Sequence, residues 1–250
     1  MSAKLAIVTG SSKGIGLSIV QCFLQEADWL VLGVSRSSSA LLGQNNYSEL
    51  LCDLLDPSSI KLVTEKIKHM IDEYKPLEVC VVHNFGATCN SHLLQTSLDQ
   101  WNRIFQANVH IPFLLTREVT PLMPPNSSHL YIGSTLSEIA VPDSCAYVAS
   151  KHALAGLMKA AAVDLASASI RLNLICPGFT DTDMAEQVLE HGASKAGKPL
   201  EEWKASLEQK SPLKRFLHPE EIGKLVVYLA ENPAISGQVI HINGGFGLLW

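Results

Sequence analysis

Short apolar runs alternate along the chain with segments that have the spacing of amphipathic helices. The runs cover residues 4–9, 29–35, 49–53, 77–82, 130–132, 171–176 and 238–242. Such runs, without polar alternation, are typical of strands buried on both faces of a parallel sheet. The pattern predicts an α/β fold with about seven parallel strands in a doubly wound sheet and helices on both faces. No internal repeat or composition break divides the chain, so residues 1–250 are predicted to form a single domain.

Several predicted helices carry recognisable signals, and one long segment does not. Ser97 and Gln100 form a capping-box pattern ahead of an apolar stripe. The last helix is predicted over Pro219–Glu231, with proline in its first turn. The stretch at 184–211 is polar, weakly patterned and interrupted by glycine and proline, which is typical of a loop over a binding site. We therefore predict a substrate lid at about residues 183–211.

Composition narrows the classes of function. Of the 250 residues, 47% are hydrophobic and 17% are charged, which is typical of a globular protein with a large core. The net charge of −5 argues against nucleic acid and anionic membrane surfaces as main partners. The first residues lack the layout of a signal peptide, and no uncharged apolar run reaches about 18 residues. The sequence therefore predicts a cytoplasmic protein without a membrane span.

The cysteines and histidines show no metal-binding pattern. The six cysteines have no C-x-x-C spacing, and we interpret them as reduced, mostly buried thiols. The nine histidines form no H-E-x-x-H or other ligand spacing. The sequence therefore predicts no metal site.

The first apolar run leads directly into a glycine-rich turn, and a helical pattern follows the turn. Strand, glycine turn and helix form the dinucleotide-binding unit of the Rossmann fold, in which the pyrophosphate meets the backbone and the helix N terminus. An ordinary glycine-rich connection is the alternative, whereas a P-loop is excluded because no Gly-Lys-Ser/Thr ends the turn. The predicted cofactor-binding residues here are Gly10, Ser12, Lys13, Gly14, Ile15 and Gly16.

The end of the second strand indicates which dinucleotide is bound. An NAD-binding unit usually has an acidic residue about 20 positions beyond the glycines, where it holds the ribose hydroxyls. This chain has Arg36 and Ser37 there, with no carboxylate. Arginine suits a 2′-phosphate, and Lys13 in the glycine turn adds a second cation. The pattern predicts NADP(H), although each cation alone could be a solvated surface charge.

The ends of the third and fourth strands supply further candidates. Asp53 and Leu54 follow the third strand, where the carboxylate could accept from an adenine amino group. Asn84 and Gly86 follow the fourth, and the small glycine suits close passage of a cofactor ribose. An ordinary turn residue is the alternative for Asn84.

The candidate catalytic pair is Tyr147 and Lys151, whose spacing of four places both on one face of a helix. Bringing a tyrosine pKa from about 10 to about 7 needs roughly 4 kcal/mol. One cation at about 4 Å supplies about that much at an effective dielectric of about 20. Ser134 lies 13 residues before Tyr147, at the same predicted sheet edge. Asn108 lies among apolar residues and, taken singly, is expected to be structural.

Together these motifs resemble the short-chain dehydrogenase/reductase family over essentially the whole chain. In order, they are Thr9-Gly10-x-x-x-Gly14-x-Gly16, Asp53, Asn84-x-Gly86, Asn108, Ser134, Tyr147-x-x-x-Lys151 and Pro177-Gly178-x-Thr180-x-Thr182. The resemblance implies that Ser134 polarises the substrate carbonyl, Tyr147 passes the proton, and Lys151 lowers its pKa and binds the nicotinamide ribose. It also implies that Asn108 fixes a water in a proton relay. The remaining cofactor contacts that it implies are Pro177, Gly178, Thr180 at the carboxamide and Thr182 at the phosphates.

Two positions depart from the family pattern. Phe85 replaces a small residue, so the packing beside the ribose is expected to differ. Gly133 replaces a common first serine, with little consequence expected.

The implied function is an NADP(H)-dependent oxidoreductase that transfers a hydride between nicotinamide and a carbonyl or secondary alcohol, assembled as a homotetramer. The apolar tail 246–250 and the Ala-rich helix after Tyr147 suit such an assembly. One alternative is a 3-oxoacyl-carrier-protein reductase of fatty acid synthesis, the nearest group in pattern. The second is a catalytically silent NADP-binding sensor or scaffold, which the presence of both Tyr147 and Lys151 disfavours.

The charge pattern bears on the carrier-protein alternative. Carrier proteins are strongly acidic, yet the stretches 123–129 and 166–169 contain no Lys or Arg. We therefore expect free small or medium carbonyl substrates. A second possible docking face remains in the cations of the lid region, which are Lys195, Lys198, Lys204, Lys210, Lys214 and Arg215.

Overall fold

The computed structural model describes residues 4–246, which contain one seven-stranded sheet in the order β3-β2-β1-β4-β5-β6-β7. Every neighbouring pair of strands is parallel. The strands are β1 Lys4–Thr9, β2 Trp29–Ser35, β3 Tyr47–Leu51, β4 Val79–His83, β5 Ser128–Ile132, β6 Arg171–Pro177 and β7 Val239–Ile242. The predicted fold class is confirmed, and the largest shift is at β3, which begins and ends two residues earlier than predicted.

Helices cover both faces of this sheet. The helices are α1 Gly14–Gln25, α2 Ser59–Tyr74, α3 Leu98–Phe105, α4 Ile111–Val119, α5 Cys145–Asp164, α6 Asp183–Ala196, α7 Leu200–Glu208 and α8 Pro219–Glu231. Alternate residues of a strand point to opposite faces. In β1, Ala6 and Val8 therefore pack with α1 and α8, whereas Leu5 and Ile7 pack with α2 and α4. The face of β5 and β6 that carries Tyr131 and Leu174 packs against α5.

The strand order reverses between β1 and β4, which are neighbours in the sheet. At such a switch point the connections leave in opposite directions, so a crevice opens outside the carboxyl ends of the strands. The glycine turn after β1 and the segments after β4, β5 and β6 all lie at this edge. The topology therefore brings together four of the stretches that the sequence singled out.

The predicted lid is helical and not a loop. Helices α6 and α7, called here the lid helices, enclose a small core of Leu189, Leu207 and Phe216 with Trp203 packed against it. A side chain on Gly192 would place its Cβ 2.5 Å from the indole nitrogen of Trp203, so glycine allows the two helices to approach. These helices bury few residues, which are Leu189 and Ala193 in α6 and Leu207 in α7.

The described part of the chain contains no helix that is long and apolar enough to cross a membrane. Within residues 4–246, no three His, Cys, Asp or Glu side chains are grouped so that they could hold a metal ion. Of the six cysteines, all free, Cys22, Cys80 and Cys176 are buried, whereas the other three are partly exposed.

Candidate active site

A cavity of about 590 Å³ lies at the carboxyl edge of the sheet, and it brings most of the predicted site residues together. They line it as Gly10, Ser12, Lys13, Gly14, Ile15, Arg36, Ser37, Leu54, Asn84, Gly86, Ser134, Tyr147, Lys151, Pro177, Gly178, Thr180 and Thr182. Three predicted residues, Gly16, Asp53 and Asn108, do not line it. Each of the three has a specific place elsewhere in the structure.

The glycine turn shapes one end of the cavity. Gly10 has a φ of +69°, a left-handed conformation that favours glycine. A Cβ on Gly16 would lie 2.1 Å from the carbonyl oxygen of Gly10, so only glycine fits where α1 packs on the turn. Gly16 thus supports the turn from behind. Helix α1 begins after Lys13 without a side-chain cap and with no acidic residue in its first turn. Its free N–H groups and positive dipole end suit a phosphate group.

Asn84 ties the end of β4 to this turn and is more than an ordinary turn residue. Its Nδ2 atom donates to the carbonyl oxygens of Thr9, at 3.0 Å, and Gly10, at 3.1 Å. The Thr9 hydroxyl donates to the carbonyl of Val82 and accepts from the backbone N–H groups of Asn84 and Phe85. These hydrogen bonds hold the end of β4 against the glycine turn and so fix the crevice at the β1/β4 switch point.

The two predicted phosphate-binding cations differ in their partners. Lys13 forms an ion pair with Asp183 at the start of α6, at 2.8 Å, and both side chains are largely exposed. Arg36 lines the cavity and forms no ion pair among the described residues. Beside it, the Ser37 hydroxyl donates to Ser12 at 3.2 Å.

Asp53 lies outside the cavity, where its exposed carboxylate accepts from the backbone N–H of Leu55 at 3.0 Å. The chain turns directly after β3, and this turn directs Cys52 and Leu54 into the cavity instead. An adenine contact from the Asp53 carboxylate therefore finds no support.

The predicted catalytic side chains meet where β5 ends and α5 begins. Ser134 follows β5 and caps a short 3₁₀ turn, and its hydroxyl accepts from the N–H of Leu136 at 3.1 Å. Lys151 is buried, and its Nζ atom donates to the carbonyl oxygen of Ile132 at 2.8 Å. This Nζ atom lies 5.6 Å from the ring centroid of Tyr147.

The electrostatics of the pair differ from the sequence expectation. Burial raises the pKa of Tyr147 to about 12, and the neighbouring Ser134 hydroxyl acts against that rise. Burial lowers the pKa of Lys151 to about 8, and Lys151 is not among the groups that shift the pKa of Tyr147. The ammonium is directed at the carbonyl of Ile132, so the expected lowering of the Tyr147 pKa to about 7 by this lysine finds no support in this arrangement.

Asn108 lies behind the cavity in a π-helical turn, Gln106–His110, between α3 and α4. Its Oδ1 atom accepts from the N–H of Ala87 at 2.8 Å, and its Nδ2 atom donates to the Ala87 carbonyl and to Ser150, both at 2.9 Å. Ser150 in turn donates to the carbonyl of Tyr147 at 2.7 Å. Asn108 therefore holds the segment after β4 against α5, and its role in a proton relay stays a prediction.

Apart from Phe85, the apolar wall of the cavity was missed by the sequence interpretation. Several of its members come from α6 and the segment before it, so α6 covers one side of the cavity. These wall residues are Phe85, Leu136, Val141, Phe179, Met184, Val188 and Phe246. They are ordinary apolar residues, and only the proximity of Phe179 to the Pro177–Thr182 motif could have indicated a role.

The site fits a dinucleotide cofactor on two observations. An uncapped helix N terminus opens into the cavity, and the approach to Lys151 is kept clear by glycine. A Cβ on Gly86 would lie 2.9 Å from Asn108 Oδ1 and 3.9 Å from Lys151 Nζ. Together they form a cradle of backbone donors at one end and an amine at the other.

Comparisons with known proteins agree with this geometry. A family model described as Enoyl-(Acyl carrier protein) reductase matches residues 10–247. The chain is 30% identical over 251 residues to 3-oxoacyl-(acyl-carrier-protein) reductase of Chlamydia trachomatis, covering 97% of this chain and 96% of the relative. A short-chain dehydrogenase family protein of Francisella tularensis superimposes with a TM-score of 0.88 at 27% identity, covering 99% and 100% of the two chains.

A second solved structure, aldohexose dehydrogenase of Thermoplasma acidophilum, gives a TM-score of 0.85 at 27% identity, with 99% and 95% of the two chains covered. Similar chains thus have names that refer to different substrates. The fold, the grouped Ser134, Tyr147 and Lys151, and the family match lead to one conclusion. The chain belongs to the short-chain dehydrogenase/reductase family of oxidoreductases.

Proposed function

We propose that this protein is an NADP(H)-dependent oxidoreductase that interconverts a carbonyl group and a secondary alcohol. The observation that carries the proposal is that Ser134, Tyr147 and Lys151 line one cavity with the glycine turn and Arg36. The hydroxyls of Ser134 and Tyr147 can hydrogen-bond to the reacting oxygen of a substrate, and the glycine turn can hold the phosphates of a dinucleotide. The names of the reductase relatives support the same reaction type.

The chain's own residues would divide the work as follows. Ser134 donates a hydrogen bond to the carbonyl oxygen, and Tyr147 transfers the proton to it during reduction. Because burial raises the pKa of Tyr147, its phenol stays protonated at neutral pH and holds the proton that is to be transferred. Lys151, with a pKa of about 8, is largely cationic at neutral pH and can hold ribose hydroxyls. When bound, the nicotinamide supplies or accepts the hydride.

Cofactor choice is proposed from the charges at the cavity's other end. Arg36 would pair with a 2′-phosphate, and the N terminus of α1 would hold the pyrophosphate. Ser37 and Ser12 lie beside Arg36 and can add hydroxyl donors. No acidic side chain lies at the end of β2 to hold the ribose hydroxyls of NAD.

The proposal is tested by substituting Tyr147→Phe and screening ketones and alcohols with saturating NADPH and NADP. Turnover should fall at least about 100-fold because the transferable proton is lost, while NADPH binding is retained. Tyr228→Phe, at an exposed tyrosine of α8, is the matched control and should leave turnover unchanged. Near-normal turnover in Tyr147→Phe would remove Tyr147 from the mechanism.

We propose free carbonyl compounds as preferred substrates over carrier-bound acyl groups. The lid cations that could attract an acidic carrier are mostly paired with carboxylates of the same chain. The pairs are Lys195–Asp143, Lys198–Glu202, Lys204–Asp181 and Arg215–Glu221. Pairing of this kind leaves the lid surface with little net positive charge.

Assembly as a homotetramer is likewise a proposal. The outer face of α5 supports it, because Val163 is 78% exposed and a Cβ added at Gly156 would meet no atom within 4 Å. Of the apolar tail 246–250, residues 247–250 lie outside the described residues. Light scattering at micromolar concentration should give four times the 27.1 kDa chain mass, and a monomer would contradict the proposal.

The absence of cysteine pairs among the described residues supports a cytoplasmic location.

A further inference from the structure

The hydroxyl of Ser134 can form only one further hydrogen bond, as a donor. Its oxygen accepts from the N–H of Leu136 at 3.1 Å and, as a capping box, from the N–H of Ser137. A serine hydroxyl has two acceptor lone pairs and one proton. Both lone pairs are therefore used by the backbone. The proton remains, so Ser134 can act toward the cavity only as a donor, which is what a carbonyl oxygen requires.

The second half of this capping box is the side chain of Ser137. Its oxygen accepts from the N–H of Ser134 at 3.2 Å, and the residue is only 3% exposed. Ser137 also interacts with the buried thiol of Cys176 at the end of β6. A Cβ on Gly133 would lie 2.9 Å from Ser137 Oγ. The absence of a side chain at Gly133 thus makes room for the Ser137 hydroxyl.

We propose that Ser137 is a positioning residue for the reaction: it holds Ser134 so that the Ser134 hydroxyl points its proton at the reacting oxygen. This inference rests on the proposed function. The proposal also gives Gly133 a role, which is to leave room for the Ser137 hydroxyl. A serine at position 133 would occupy that space. Ser137 itself does not line the cavity, so its effect passes through Ser134.

The test compares Ser137→Ala with Ser127→Ala. Ser127 is equally buried, and its hydroxyl also accepts a backbone N–H, from Val79 at 2.9 Å, but it lies before β5. Ser137→Ala should lower kcat for ketone reduction by roughly 10- to 100-fold, because small misplacements of reacting groups cost that much. KM and the Kd for NADPH should change less than about twofold, and Ser127→Ala should leave kcat within about twofold.

Two further readouts separate positioning from general stability. In alcohol oxidation, the pH of half-maximal activity should move upward in Ser137→Ala, because the Ser134 hydroxyl counteracts the raised pKa of Tyr147. Ser137→Thr, which keeps the oxygen, should recover most of kcat. A wild-type kcat in Ser137→Ala, or an equal loss in Ser127→Ala, would overturn the inference.

Hydrogen exchange tests the same contact without requiring any turnover. The Ser134 amide should exchange at least about tenfold faster in Ser137→Ala than in the wild type, since its acceptor is lost. Unchanged exchange would overturn the inference even in an active enzyme. A wild type that turns over no carbonyl with NADPH would instead refute the proposed function, with the exchange result still reporting on the contact.

Discussion

The Nζ atom of Lys13 lies 2.8 Å from the Oδ2 atom of Asp183, so an ion pair joins the glycine turn to the first turn of α6. Both residues line the cavity, and the pair therefore spans its mouth. Lys13 is one of the two cations that the sequence assigns to a 2′-phosphate. Its charge is already balanced by Asp183, which leaves Arg36 as the main candidate for phosphate recognition.

Replacement of Arg36 should affect the binding of NADPH and not that of NADH. We expect Arg36→Ser to raise the Kd for NADPH by roughly 10- to 100-fold, since a charge-assisted hydrogen bond contributes about 1.5–3 kcal/mol. The Kd for NADH should change less than about twofold, because NADH has no 2′-phosphate. Fluorescence titration with each cofactor measures both constants. Arg103→Ser, at an exposed arginine of α3, is the control. Equal losses for both cofactors would refute the assignment.

Removal of Asp183 should release Lys13. Exposed ion pairs are weak, so Asp183→Asn should improve NADPH affinity by only about two- to fivefold. The gain should be absent for NADH and should shrink as salt screens the freed cation. The double variant Lys13→Ala/Asp183→Asn should lose the gain. An unchanged Kd for NADPH at low salt would show that Lys13 does not reach the phosphate.

The strands of this fold are readable from local pattern, whereas the lid helices are not. Strands β1, β2, β4 and β6 are buried on both faces, so their runs of apolar residues are nearly continuous and end near the true boundaries. Helix α6 buries only Leu189 and Ala193. Its fit against α7 depends on the space at Gly192 for Trp203, which is a tertiary relationship without a local signature.

The same distinction holds for the site. Ser134 and Asn84 were found because strand ends of a parallel sheet gather at one edge. Asp53 satisfies the same rule, but the turn after β3 directs its side chain away. The importance of Ser137 depends on a capping box and on Gly133 beside it, and neither follows from residue type alone.

Two buried histidines, His83 of β4 and His129 of β5, lie on the face of the sheet that packs against α4. The Thr120 hydroxyl donates to the carbonyl of Thr116 at 2.6 Å, so it accepts from Nε2 of His129 at 3.0 Å. Nδ1 of His129 is then unprotonated and accepts from Nε2 of His83, also at 3.0 Å. Both rings are thereby held neutral. Burial lowers the pKa of His129 to about 3 and the pKa of His83 well below its usual 6.5.

This pair should make the fold sensitive to acid. Below pH 6.5 the unfolded chain binds protons at both histidines while the folded chain does not, so stability falls as pH drops from about 6.5 toward 3. At pH 5 the loss should approach about 2 kcal/mol per histidine. Urea unfolding at pH 7 and pH 5 measures the difference.

A histidine substitution checks the origin of this acid sensitivity. His129→Gln should reduce the pH-dependent loss by about half, even though it lowers stability at neutral pH. His69→Gln, at an exposed histidine of α2, should leave the pH dependence unchanged. Equal stability of the wild type at pH 7 and pH 5 would refute the neutral pair.

The paired charges of the lid predict how the enzyme treats a carrier-bound substrate. Lys195 pairs with Asp143, and Lys204 pairs with Asp181 at 3.3 Å, so neither cation is fully available to an acidic partner. Exposed pairs contribute only a few tenths to 1 kcal/mol each, and electrostatic docking depends on several acting together. We expect kcat/KM for a 3-oxoacyl carrier protein to be no higher than that for the same acyl group on a short neutral thiol.

The salt dependence and one lysine variant decide between the two substrate forms. Lys214 is exposed and forms no ion pair among the described residues, so it is a lid cation that can meet a carrier. If docking is weak, Lys214→Ala should lower kcat/KM for the carrier-bound substrate by less than about twofold. Added salt should then change kcat/KM for both substrates alike. A large advantage of the carrier-bound form that collapses as salt is raised, and that falls further in Lys214→Ala, would mean that the lid lysines do recruit a carrier. The enzyme would then be a carrier-protein reductase despite its paired surface.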